Sequence, residues 1–167
     1  MSVDFPPGLS YAAVRSGNKR YNGFFKKEAA RQMLEKLQVK TSARTELVEM
    51  TGSIQGAVQR TGVKDGVCFI FVPHTTAGVT INENADPSVP RDVLMELNKM
   101  VPFEDRYQHM EGNSAAHIKA SLIGFSQTVF VESGRLVLGT WQGIFFCEFD
   151  GPRSREVYVK VVASGNG

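Results

Sequence analysis

Three histidines, His74, His109 and His117, are the only ones in this 167-residue chain, and they fall within a 44-residue stretch. Neutral imidazole ligates zinc-like divalent ions, and three such ligands leave an open position for water or substrate. The spacing matches no metal signature. There is no HExxH and no histidine pair at i, i+4, so on spacing alone the reading of three unrelated histidines is favoured. Carboxylates bracket them: Glu83, Asp86, Asp92 and Glu111 are candidates for a general base or for orienting an imidazole. Each is equally explained as a cap or a solvated charge.

Other residue types suit a phosphorylated ligand. Thr75 and Thr76 precede Ala77 and Gly78, so hydroxyls and accessible backbone N–H groups follow the first histidine. A tight connection needing Gly78 for its backbone angles accounts for the same residues. Trp141, the only tryptophan, lies between glycines beside Gln142 and offers a stacking wall and a bidentate amide. A core tryptophan at a strand bend is the plainer alternative. Arg153, in the turn after Asp150, can present a guanidinium to phosphate or form a structural ion pair. Cys68 and Cys147 lie in apolar runs and read as inert core thiols.

The elements that must position these residues follow from pattern and punctuation. Residues 37–41 alternate and 45–49 do so less cleanly, consistent with two strands or one long bent one, and Thr51 is placed to cap a short helix burying Ile54, Ala57 and Val58. The run 67–72 reads as a strand buried on both faces, with His74 just past its end, and 76–82 resumes extended character. Asp86 and Pro87 start a helix that carries Val89, Val93 and Leu97 and stops at Pro102. A polar loop over 103–113 precedes a helix capped by Ser114 and ended by Gly124. The last third is strand-rich: 127–132, a Ser133–Gly134 turn, 135–139, 143–149 and 156–163. Strand blocks with a few helices and no regular βαβ alternation predict an α+β domain.

Charge is unevenly spread. Residues 1–32 form a basic leader with a net charge of +4, which leaves the rest at −2 and the whole at +2. The body has no stripe of cations interleaved with aromatics, so nucleic acid is not an expected partner. No apolar run is long enough to span a bilayer. The expected organisation is a leader over 1–32, a domain over 33–163 and a short tail over 164–167. Within the leader only 24–37 has helical character. The expected location is the cytoplasm, with organelle targeting by the leader left open.

Three strings join these separate signals: HTTAGVTINENADPSVPRD at 74–92, YQHMEGNSAAHIKAS at 107–121, and GRLVLGTWQGIFFCEFDGPRSR at 134–155. In this order they strongly resemble the YjbQ-like family, over roughly residues 34–162. The resemblance implies a single compact α+β domain, a two-sheet β-sandwich with two to three helices, assembled as a homotrimer. It also implies a weak thiamine phosphate synthase activity, joining hydroxymethylpyrimidine diphosphate to thiazole phosphate with loss of pyrophosphate. On that basis His74, His109 and His117 are the expected ligands of a zinc-like ion. His117, Glu83, Glu111 and Asp92 are the expected catalytic groups, and Thr75, Thr76, Trp141, Gln142 and Arg153 the expected substrate contacts. No nucleotide cofactor is implied. The alternatives are a metal-dependent hydrolase and a non-catalytic trimer that binds a metal or small anion.

Overall fold

The structure is a computed structural model that describes residues 34–164. The leader over 1–32 lies outside these residues, as does the 24–37 stretch as far as Met33; its end, Glu35 to Leu37, is strand rather than helix. In chain order the elements are β1 (Glu35–Lys40), β2 (Glu46–Glu49), α1 (Thr51–Thr61), β3 (Gly66–Phe71), β4 (Ala77–Glu83), α2 (Ser88–Met100), α3 (Ser114–Ile123), β5 (Ser126–Glu132), β6 (Arg135–Leu136), β7 (Gln142–Glu148) and β8 (Ser154–Ala163). They form two antiparallel sheets, ordered β1-β8-β3-β5-β6 and β2-β7-β4. The expected α+β sandwich with three helices is therefore what the chain adopts. No helix among the described residues is long and apolar enough to cross a membrane.

Period-two alternation decides what lies between the sheets. Cys68 and Ile70 of β3, Val157, Val159 and Val161 of β8, and Ile144 and Phe146 of β7 meet in one buried core, with Ile54, Ala57 and Val58 of α1 closing it. The alternate residues of β7 point the other way. Cys147, followed by Phe149, packs on Ala116 and Ala120 of α3 and on Leu94 and Leu97 of α2. α2 and α3 thus cover the outer face of the three-stranded sheet, and no helix among the described residues covers the outer face of the five-stranded sheet.

That asymmetry corrects one expectation. The strand over 67–72 is buried on one face only: Phe69 and Phe71 are 46% and 47% exposed, as an antiparallel sheet with one uncovered face permits. An unbroken apolar run is compatible with either burial pattern, so the sequence could not separate them. Trp141 is also not a core residue, being 63% exposed in the turn before β7.

Local details shift by a residue or two. Thr51 opens α1 rather than capping it, and its Oγ1 accepts from the Ile144 N–H at 2.9 Å. Asp86 stands two residues before α2 and accepts the Ser88 N–H at 2.8 Å. Gly78 has no positive φ; it is needed for close approach, since a Cβ there would lie 2.6 Å from the Gly124 carbonyl oxygen. β4 and the end of α3 meet at that point, where Val79 N–H donates to Gly124 at 3.1 Å.

Candidate functional site

The predicted residues separate into two groups at opposite ends of β4. Ala77 pairs with Glu148 at one end and Glu83 with Gln142 at the other. Six steps of extended chain put the two ends about 20 Å apart. His74, Thr75, Thr76 and Arg153 belong to the first end, with Glu111, His109 and His117 drawn there by α3. Glu83, Asp86, Trp141 and Gln142 belong to the second.

A charge pair that the sequence analysis missed forms the base of the first end. Glu148 keeps the inward parity of Ile144 and Phe146, and Arg155 that of Val157 and Val159, so both point between the sheets. Glu148 is wholly buried and Arg155 nearly so. Arg155 grips the carboxylate with two N–H donors, Nε to Oε2 at 2.7 Å and Nη2 to Oε1 at 2.5 Å. Asp150 and Phe149 N–H groups donate to Oε1 at 2.9 and 3.1 Å, and Thr41 Oγ1 lies 3.1 Å from Oε2. Burial pushes the Glu148 carboxyl upward, but these hydrogen bonds and the guanidinium outweigh it, leaving its pKa below the ordinary value. The turn fits closely around it: a Cβ on Gly151 would lie 2.3 Å from the Ala43 carbonyl oxygen and 2.8 Å from Glu148 Cγ.

His74 and Thr76 lean on this base. Arg155 Nη2 also donates to Thr76 Oγ1 at 2.9 Å, so Thr76 is buried and engaged while Thr75 is exposed. His74 Nε2 accepts the Glu156 N–H at 2.9 Å, which places the ring proton on Nδ1 when the ring is neutral. Burial first, and then the Arg155 charge, hold its pKa below the ordinary value despite the carboxylates nearby.

The turn between β7 and β8 carries the accessible charge. Arg153 Nε donates to the Asp150 carbonyl at 2.6 Å and Nη2 to Asp150 Oδ2 at 2.7 Å. One edge of the guanidinium is thereby clamped, leaving Nη1 and the remaining Nη2 proton uncommitted on a half-exposed side chain. Asn113, preceding α3, donates Nδ2 to the same Asp150 oxygen at 3.1 Å. Its Oδ1 is buried and has no hydrogen-bond partner among the described residues. Flipping the amide would set that oxygen against the carboxylate, so the Nδ2–Asp150 contact selects this orientation. One helical turn on, His117 meets His109 edge to face, with ring centroids 5.4 Å apart. Glu111 Oε2 lies 3.7 Å from His109 Nε2, close but beyond hydrogen-bond length.

The three histidines expected to hold a metal are placed differently. Among the described residues no three His, Cys, Asp or Glu side chains form a group able to hold an ion. His109 and His117 stand together, but His74 Nε2 is occupied by a backbone donor. Among the described residues His109 and His117 therefore form a pair, with His74 engaged by the backbone.

The second end is built differently. Asn84 N–H donates to the Trp141 carbonyl at 2.7 Å, and Gly139 N–H to Gln142 Oε1 at 2.8 Å, so the Gln142 amide closes its own loop. Glu83 is half-buried, while Asp86 and Asp92 are exposed. Asp86 is held below the ordinary carboxyl pKa, mainly by the Ser88 backbone N–H. The thiols of Cys68 and Cys147 are buried and pushed up to about 12 by burial, consistent with inert core residues. Glu148 and Arg155 could have been found from one signal, a carboxylate inside the apolar run 143–149 with an arginine just past the following turn.

Fold and site together define a small two-sheet α+β domain with a polar end gathered around a buried arginine–glutamate pair. The profile of the YjbQ family, described as UPF0047 protein YjbQ-like, matches residues 35–164. The chain belongs to that family. It is 56% identical over 131 residues to a UPF0047 protein of Methanocaldococcus jannaschii, covering 78% of this chain and 95% of that one. It is 53% identical to UPF0047 protein YugU of Bacillus subtilis, covering 78% and 99%. Among solved structures, a YjbQ/UPF0047-family protein of Clostridium acetobutylicum aligns at 54% identity with a TM-score of 0.76, covering 77% of this chain and 99% of the other. A hypothetical protein of Aeropyrum pernix aligns at 34% identity and a TM-score of 0.76, covering 79% and 99%.

Proposed function

We propose that the Arg153–His117 end of the domain is an enzyme site for phosphorylated small molecules, with thiamine phosphate synthase-type activity. The observation that carries this reading is the chain from Asn113 through Asp150 to Arg153. It sets a preorganised guanidinium edge where α3 also brings His109 and His117. In the synthase reaction the bond between the pyrimidine methylene and the diphosphate breaks, and the thiazole nitrogen takes its place. Charge accumulates on the departing pyrophosphate, and this favours fixed donors over a nucleophile. The free edge of Arg153 is the anion clamp, exposed Thr75 adds a hydroxyl donor, and the imidazoles of His109 and His117 donate to or orient phosphate oxygens. Glu148 and Arg155 do not touch substrate in this scheme; they hold the turn and the Thr76 backbone in place.

A divalent ion is part of the proposal only at the His109–His117 pair. Asn113, four residues from each in sequence, offers an orphaned amide oxygen there. The ion would supply charge neutralisation to the diphosphate, and no step above depends on it. Elemental analysis of chelator-free protein tests it.

Self-association into a homotrimer is the accompanying proposal. It is supported by the sheet face that no other described residues cover, where Phe69, Phe71, Phe130 and Val162 are 40–70% exposed. Glu83, Trp141 and Gln142 do not reach the first end within one chain and have no part in this scheme. Sedimentation measures the assembly state. The activity is tested by pyrophosphate release from hydroxymethylpyrimidine diphosphate and thiazole phosphate. Release that Arg153→Ala leaves unchanged would remove this site from the reaction.

A further inference from the structure

A separate cleft of about 430 Å³ lies on the helical side of the three-stranded sheet, between the start of β2, the 84–87 segment and the first turns of α2. Its volume falls in the range of small-molecule sites. Leu47, Leu94 and Phe145 give it apolar walls, and Thr45 and Asn84 contribute polar groups. Pro87 and Pro90 add to the walls, and two carboxylates and one arginine complete the lining, distinguished by their hydrogen bonding. Both oxygens of Glu46 are taken by Ser42, whose N–H donates at 2.7 Å and whose Oγ donates at 3.1 Å. Asp86 accepts from Ser88. Arg91 has no ion pair among the described residues.

More positive charge stands behind the Thr45 wall. Thr45 Oγ1 accepts from Asn98 Nδ2 at 3.3 Å, and Asn98 Oδ1 accepts from Lys119 Nζ at 2.6 Å. Lys119 is wholly buried, with no carboxylate in ion-pair contact among the described residues. Its ammonium lies 3.7 Å from the centre of the Phe103 ring, and the Arg44 guanidinium lies 3.8 Å from the same ring centre. Two cations on one aromatic ring repel one another, and a buried unpaired ammonium is costly unless something offsets it. Burial first and Arg44 second bring the Lys119 pKa down to about 8.

We propose that this cleft binds a small organic anion, its acidic head on Arg91 and its apolar body against Leu47, Leu94 and Phe145. The site is distinct from the Arg153–His117 end and does not depend on the activity assigned there. Arg91, Arg44 and Lys119 outnumber the carboxylates of Glu46 and Asp86 by one positive charge, which sets the sign of the ligand even though Asp86 lies within the field of Arg91. The apolar walls require a hydrocarbon or aromatic body. Inorganic phosphate lacks the second feature and a neutral aromatic lacks the first.

The test is ¹⁹F NMR titration of the full chain with 4-(trifluoromethyl)benzoate, using 4-(trifluoromethyl)benzyl alcohol as the neutral control. The benzoate is expected to bind, and the alcohol to bind about tenfold more weakly or worse, the scale of one charge-assisted contact. Arg91→Ala should weaken the benzoate by a similar factor, Arg91→Lys should recover part of it, and Arg153→Ala should leave it unchanged. No benzoate binding at millimolar concentration, or equal binding of acid and alcohol, would overturn the proposal. So would an unaffected Arg91→Ala protein, or loss of binding in Arg153→Ala, which would move the anion to the other end of the sheet.

Discussion

The two ends of β4 contain similar residue types arranged to opposite effect. At the Thr76 end a carboxylate and a guanidinium are buried, and among the described residues Asn113 Oδ1 is the one buried side-chain polar atom without a partner. At the Glu83 end the large side chain is the exposed Trp141, the carboxylates of Asp86 and Asp92 face solvent, and Gln142 bonds within its own loop. Buried charge needs partners, so the first end is rigid and positions its neighbours; exposed polar groups satisfied by water need none. Chemistry that depends on fixed donors belongs at the first end.

The largest contrast is expected in stability. Glu148→Ala strands a buried guanidinium and the N–H groups of Phe149 and Asp150, at a cost of about 3–5 kcal/mol in denaturant unfolding. Trp141→Ala, at the exposed end, should change stability by less than about 1 kcal/mol. Pairing Glu148→Leu with Arg155→Met sharpens the point, because removing both charges should recover much of the loss. A double variant as unstable as Glu148→Ala would show that the pair is not what holds this end.

Activity should separate the ends next. Arg153→Ala is expected to lower turnover about 100-fold, the usual loss for one oriented donor to developing charge. Asn113→Ala should give a smaller loss through release of Asp150. Asn113→Asp, which sets a second carboxylate against Asp150, should lose at least as much, and kcat measured for the two variants checks it.

The pH dependence has a definite sign. The Glu148 carboxyl has a folded-state pKa below its unfolded value, so its stabilisation is complete above about 4.3 and is lost as pH falls through the lower folded value. His74 has a lowered folded pKa as well. The folded protein therefore binds fewer protons than the unfolded chain below about 6.5, and stability declines as pH drops from there. Melting temperatures from pH 8 to pH 3 should fall in two stages, the first of them flattened in His74→Gln. The smallest effect concerns the thiols. With Cys68 and Cys147 at about 12, neither should react with iodoacetamide at pH 8 until the protein is unfolded.

Much of the fold was legible because it rests on local signals. Alternation located the strands of both sheets, Pro102 and Gly124 bounded the helices, and Ser133–Gly134 marked a hairpin whose two residues have φ of 52° and 77°. Which face of β3 is covered was not legible, since that depends on helices packing against the other sheet. The site was legible in part for the same reason. His109 and His117 are brought together by one turn and one helix, a short-range arrangement. The separation of Glu83 from Thr76 follows from the length of β4, and the sequence reading treated both as neighbours of one histidine cluster. Glu148 and Arg155 were passed over because each is unremarkable alone, and their pairing requires the registers of β7 and β8 in different sheets.

The central claim is that the reaction belongs to the Arg153–His117 end and not to the Trp141–Gln142 end of the same chain. Pyrophosphate release from hydroxymethylpyrimidine diphosphate with thiazole phosphate, compared for His117→Ala and Gln142→Ala, tests it most directly. The account predicts loss of about 100-fold or more for His117→Ala and less than about threefold for Gln142→Ala. Turnover that survives His117→Ala but collapses in Gln142→Ala would contradict it.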